Sequence, residues 1–503
     1  MLDGTRNNPL EVETQYGKIV GEYEGSVRVF LGVPYASPPT GDLRFLRSVP
    51  PKPWSSPLMA TRNRAISPQY ASRLERVMGS FEAEQSEDCL YLTIWAPDEG
   101  ARPKDVIVWL HGGGYSSGAG SLDFYSGSQL ADRGDVVVVN VNYRLGALGF
   151  LYQPDIGDAN VGILDQLDAL CWVQENIARF GGDPSSVTVM GQSAGAYTIS
   201  LLSSLKEADG LYKRMIIMSP PLGMKLATVE EADRTQAQFL EILGIDPRSP
   251  EKLRDVPVER ILEAQQKVAA AAVIPGDPTP AFRPIDVFNC GKDEVFMTVS
   301  GRKRECLIGF TSQEMSAFLG PYDDEPMEQS QVLSILERYY GDAAAAMYSE
   351  YDNGMRRFAP SKVLSDAITD IFFIWPTLQY ASVLAETGIH TFVYEFGWQA
   401  PDSGVEACHC IELPFVFGTF DAFQDGSMLG AASSNAVGQV ADVTQNSWLD
   451  FVKSGEPLSS EIDAWPSVIE GSMPVLKIDA TSKISSTAVE RMQKYAALRV
   501  DVA

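Results

Sequence analysis

The 503-residue sequence predicts an α/β fold, one large and mostly parallel sheet flanked by helices. Three observations carry this expectation. Short apolar, β-branched runs recur along most of the chain, with longer helix-compatible stretches between them. No Pro/Ser-rich linker, charge block or internal repeat divides it. One of the runs, residues 187–190, ends in Gly191-Gln192-Ser193-Ala194-Gly195, a sharp turn that leads into a helix-compatible segment.

Taken in order, residues 106–110 read as a strand and pass into His111-Gly112-Gly113-Gly114-Tyr115. Residues 136–141 read as the next strand and 160–180 as a helix. Strands follow at 187–190 and 215–218, then at 306–310 and 391–396. Residues 230–272 and 329–351 are rich in Glu, Arg, Ala and Leu and look helical. The economical organisation is a single domain over 1–503, with helical insertions near 225–300 and 325–385 beside the site.

The chemistry starts at Ser193. In G-x-S-x-G the glycines let the backbone bend and approach its neighbours, which forces the serine hydroxyl outward. A serine needs a base within hydrogen-bond reach, itself oriented by a third group. Only His111, His390 and His409 are available. His111 heads a glycine run after a strand, which suits backbone N–H groups aimed at a developing oxyanion. His390 reads as a loop residue entering the 391–396 strand. His409, in Cys408-His409-Cys410, is left as the base. In α/β-hydrolases the acid lies between serine and histidine in the chain. Glu314, in the loop after the 306–310 strand, fits that place. Gly113, Ser193, Glu314 and His409 would then converge beyond the carboxyl ends of neighbouring strands.

The chain resembles the type-B carboxylesterase/lipase family, which includes the cholinesterases. Beyond the Ser193 turn, Phe30-Leu31-Gly32-Val33-Pro34-Tyr35-Ala36 and Leu43-Arg44-Phe45 are similar to its N-terminal motif. Glu87-Asp88-Cys89-Leu90-Tyr91-Leu92, Asn142-Tyr143-Arg144-Leu145-Gly146 and Phe180-Gly181-Gly182-Asp183-Pro184 match three more. The resemblance implies an α/β-hydrolase fold and a Ser193–His409–Glu314 triad. It places the acid five residues after Gly309 and the base six before Phe415. It also implies oxyanion donors at the amides of Gly113, Gly114 and Ala194.

Composition bounds the partners. A formal charge of -26 argues against nucleic acid, whose phosphates need a basic surface. It also disfavours anionic membranes, and no apolar run is long enough to span a bilayer. The first fourteen residues have neither a basic stretch nor an apolar one of the secretory kind, so a cytoplasmic location is expected. Of the six cysteines none precedes Cys89, which excludes the family's bridge to an upstream cysteine and leaves free thiols expected. Cys408 and Cys410 in an extended chain would face away from His409, so no metal is expected, and the chemistry calls for no cofactor.

The chain also departs from the cholinesterases. Gln192 stands where they place a glutamate, near the imidazole without touching it. Gly79 stands at the spacing of their choline-stacking tryptophan, and Ala317 at that of a second aromatic. Lost aromatic faces remove cation–π attraction, so a choline ester is not the expected substrate. Phe318 matches an acyl-pocket aromatic, and Ser219 a buried supporting serine. The reading is a serine ester hydrolase acting on small to medium neutral esters, most simply as a monomer. A carbamate or amide hydrolase with the same triad is the alternative. A non-catalytic binding protein is the more distant one.

Overall fold

The computed structural model describes residues 10–98, 100, 102–287, 304–319, 327–352, 359–432, 434–458, 462, 464–490 and 492. Its strands, in chain order, are β1 (Leu10–Thr14), β2 (Gly17–Glu24), β3 (Val27–Pro34), β4 (Leu58–Met59), β5 (Tyr91–Ala96), β6 (Lys104–Leu110) and β7 (Val137–Val141). They continue as β8 (Gly182–Gln192), β9 (Arg214–Met218), β10 (Glu305–Thr311), β11 (Thr391–Phe396), β12 (Val475–Ile478) and β13 (Lys483–Ser485). One sheet runs β1-β2-β3-β5-β7-β6-β8-β9-β10-β11-β12-β13, with β4 beside β2.

The stretch from β7 to β12 is parallel throughout. Both ends of the sheet are antiparallel. Every residue of β7 and β9 is buried, because helices cover both faces of the parallel region. This is the α/β-hydrolase fold, and it matches the architecture expected from the apolar runs. Register sets the site. Leu110 faces Gly191, Gln192 faces Met218, Met218 faces Gly309, and Thr311 faces Phe396. The carboxyl ends of β6, β8, β9, β10 and β11 are therefore level, and the segments leaving them share one rim.

The two stretches expected to be helical are so, each in two pieces. Residues 230–272 form two helices, Val229–Leu243 and Val258–Ala271. Gly244 takes a φ of 71° and ends the first, and Pro250 and Pro257 shape the turn between them. Residues 329–351 divide at Gly341 into Gln329–Tyr340 and Ala344–Tyr351.

Motifs that lie far apart in the chain turn out to be partners. Arg44 donates Nε to Glu87 Oε2 at 2.7 Å. Tyr35 Oη donates to Asn142 O at 2.7 Å. Arg144 grips Asp165 with both ends of its fork, at 2.7 and 2.6 Å, and both residues are buried. Among the described residues no helix is long and apolar enough to cross a membrane.

Candidate active site

β8 ends at Gln192 and the helix Ala194–Ser204 begins two residues later, which leaves Ser193 alone at the corner. Its φ of 55° and ψ of -121° are costly for a residue with a side chain. Two hydrogen bonds hold it there. Ser193 N–H donates to Met218 O, and Ser193 O accepts from Tyr197 N–H, each at 2.9 Å. The flanking glycines are dictated by space. A Cβ on Gly195 would stand 2.0 Å from Leu110 O, and one on Gly191 2.8 Å from the Gly195 carbonyl carbon. Ser193 is half-buried and lines an open cleft together with Gly113, Gly114 and His409.

The glycine run after β6 curls against this corner. Gly113 has a φ of 116°, and a Cβ there would meet Ser117 O at 2.0 Å. Gln69 clamps the far end of the loop, accepting from Gly118 N–H and donating to Gly118 O. Among the described residues the N–H groups of Gly113, Gly114 and Ala194 have no acceptor, and all three residues line the cleft. His111 does not line it. That ring is buried, stacks on Tyr143 at 4.2 Å, and donates Nδ1–H to Gly112 O at 2.7 Å. Burial pushes its pKa down to about 4, so it stays neutral. His390 is exposed at the entry to β11.

Glu314 lies in a single 3-10 turn, Glu314–Ala317, where an open loop was expected, and it is fully buried. Its carboxylate is held at both oxygens. Thr311 N–H donates to Oε1 at 2.8 Å, and His409 Nδ1 donates to Oε2 at 2.5 Å. The backbone adds a bond from His409 N–H to Glu314 O at 3.2 Å. The proton on Nδ1 leaves the lone pair on Nε2, and His409 lines the same cleft as Ser193. Gln192 corrects the sequence expectation. Its Nε2 lies 3.2 Å from His409 Nε2, a direct contact. The Cys408-His409-Cys410 segment is a turn with Cys410 at a φ of 75°, and the extended geometry expected for it does not occur.

The walls are aromatic. Phe318 and Phe373 lie with ring centroids 5.6 and 5.2 Å from that of His409. Phe373 and its neighbour Phe372 both reach the cleft from a π-helical turn, Asp370–Ile374, between the helices Pro360–Thr369 and Trp375–Glu386. Pro376 has no N–H to offer Phe372 O, and Gly223 N–H takes that carbonyl instead at 2.9 Å. Ser219 is buried as its spacing implied, and its hydroxyl donates to Glu412 Oε1 at 3.2 Å. Sequence reasoning passed over Arg73, Phe372, Phe373 and Glu412. Of these only the aromatic pair left a trace, in the proline inside a helical stretch.

A parallel sheet with a serine corner after β8, a buried carboxylate after β10 and an imidazole after β11 defines a hydrolase class of the α/β-hydrolase fold. The chain belongs to the carboxylesterase family, whose model matches residues 8–499. It is 35% identical over 482 residues to a para-nitrobenzyl esterase of Bacillus subtilis, covering 94% of this chain and 96% of that one. A phenmedipham hydrolase of Pseudarthrobacter oxydans is 34% identical over 461 residues, covering 90% and 92%. The solved structure of a thermophilic PNB esterase superposes with a TM-score of 0.85 at 34% identity, covering 97% of this chain and all of that one. The chain is thus a carboxylesterase-type hydrolase.

Proposed function

We propose that the protein hydrolyses carboxylic esters through a Ser193–His409–Glu314 triad and an acyl-enzyme. The observation that carries this is the imidazole: a buried carboxylate fixes its Nδ1, which leaves Nε2 as the base, and His409 lines the same cleft as Ser193. Ser193 Oγ attacks the ester carbonyl while His409 Nε2 takes its proton. Glu314 stabilises the resulting imidazolium. The amides of Gly113, Gly114 and Ala194, which lack other acceptors, receive the oxyanion. His409 protonates the departing alkoxide, and water, activated by the same Nε2, then frees the acid. Apolar walls around the reacting centre suit small to medium esters that are neutral there, and Phe318 bounds the acyl group. The chemistry uses no cofactor.

Ser193→Ala abolishes ester turnover, and an organophosphate labels the wild type on Ser193 alone. Glu314→Gln lowers kcat by orders of magnitude, since a neutral amide does not stabilise the imidazolium. Label on another residue at an equal rate in Ser193→Ala, or near-wild-type kcat in Glu314→Gln, would refute the assignment.

A further inference from the structure

Arg73 lines the same cleft as Ser193 and His409. Its guanidinium carbon stands 5.3 Å from the centroid of the Phe318 ring, and that ring stands 5.6 Å from His409. One side chain therefore separates the cation from the imidazole. Arg73 is exposed as a residue, and among the described residues its guanidinium has no hydrogen-bond acceptor. Among the described residues no carboxylate pairs with it, although Glu75 also lines the cleft. The acidic residues 323–325 lie outside the described residues.

This cation is unusual in its setting. The chain has 66 Asp and Glu against 40 Lys and Arg. The packed walls lower the Arg73 pKa by desolvation, with no acidic neighbour offsetting it. An arginine still keeps its charge at any working pH. A guanidinium stacked on a ring by one face keeps its N–H edge free, and that planar fork matches a carboxylate.

We propose that Arg73 determines specificity by binding an anionic substituent, a carboxylate or its like, carried by the ester substrate beyond Phe318. This rests on the ester-hydrolase reading above and narrows its substrate class. The substituent belongs to the acyl part or to the alcohol part, and two substrate pairs separate these. The acyl pair is mono-4-nitrophenyl glutarate and its methyl ester. The alcohol pair is 4-acetoxybenzoate and its methyl ester.

The measurement is the ratio of kcat/KM for the charged ester to that for its neutral counterpart. Arg73→Gln lowers this ratio about ten-fold or more in one pair, chiefly through KM, as loss of a charge-assisted contact does. Arg73→Lys keeps part of it, since a point charge lacks the fork. The pair that responds identifies which part of the ester carries the anion. Ratios unchanged in both pairs would overturn the proposal. So would charged and neutral esters losing rate together, because Arg73 would then only pack Phe318. Absence of turnover on all four esters in the wild type would overturn the ester-hydrolase reading itself.

Discussion

Glu314, bonded to His409, and Glu412, three residues after that histidine in the chain, are buried carboxyls in opposite settings. Glu314 accepts hydrogen bonds at both oxygens. Glu412 accepts from Ser219 at Oε1, and its Oε2 has no side-chain or backbone partner within hydrogen-bond distance among the described residues. Burial first, and then the negative Glu314, push the Glu412 pKa up from 4.5 to about 8. A carboxyl whose folded pKa is raised binds its proton more tightly in the folded state. Its contribution to stability is full below the unfolded value of 4.5 and is lost as pH rises through about 8. Each unit of separation corresponds to about 1.4 kcal/mol, so the loss amounts to a few kcal/mol. Glu412→Gln keeps the oxygen that Ser219 addresses and has no proton to lose. Its Tm relative to the wild type should climb steadily between pH 5 and pH 8.5. A difference that stays flat across that range would mean Glu412 does not titrate there.

At the scale of elements, the π-helical turn shows how much of a cleft depends on one proline. Pro376 releases the Phe372 carbonyl, Gly223 N–H captures it, and Phe372 and Phe373 are fixed against the site. A Cβ on Gly223 would lie 2.3 Å from Ile371 O and 2.7 Å from Phe372 Cα, both backbone atoms. Gly223→Ala must therefore displace the turn, at a cost of about 1–3 kcal/mol in urea unfolding. It should also alter the dependence of KM on acyl length, because the two rings move with the turn. If stability and acyl preference both stay as in the wild type, the turn does not set that wall.

The parallel strands were legible because helices on both faces make them continuously apolar, as in β7 and β9. The antiparallel edges were not. β1 alternates, but over only five residues, while β12 and β13 have four and three. Ser193 and Gly113 could be read because their turns demand glycines. Glu314 and His409 could be read only from chain order, from the presence of only three histidines and from the spacings that the family resemblance implies. Arg73 and Phe372 reach the cleft through turn geometry, which imposes no period on the sequence.

For the molecule as a whole, the charge is the property that the fold does not cancel. With 66 acidic and 40 basic side chains, the net charge of -26 cannot be paired internally, whatever the geometry. The pair of Arg144 with Asp165 is buried, with side chains 3% and 0% exposed, and salt screens it little. Exposed pairs such as Arg248 with Asp246 contribute little to begin with. What salt acts on is the surplus of acidic groups held together by folding, whose mutual repulsion opposes the compact state. The Debye length falls from about 30 Å at 0.01 M to about 8 Å at 0.15 M, which silences repulsion across the surface and spares contacts within it. Tm should therefore rise by a few degrees as NaCl goes from 0.01 to 0.15 M at pH 7, with most of the gain early. Below pH 5 the carboxylates begin to protonate and the same titration should flatten. A Tm that falls with salt at pH 7 would mean that surface ion pairs outweigh the repulsion, despite the excess of 26 negative charges.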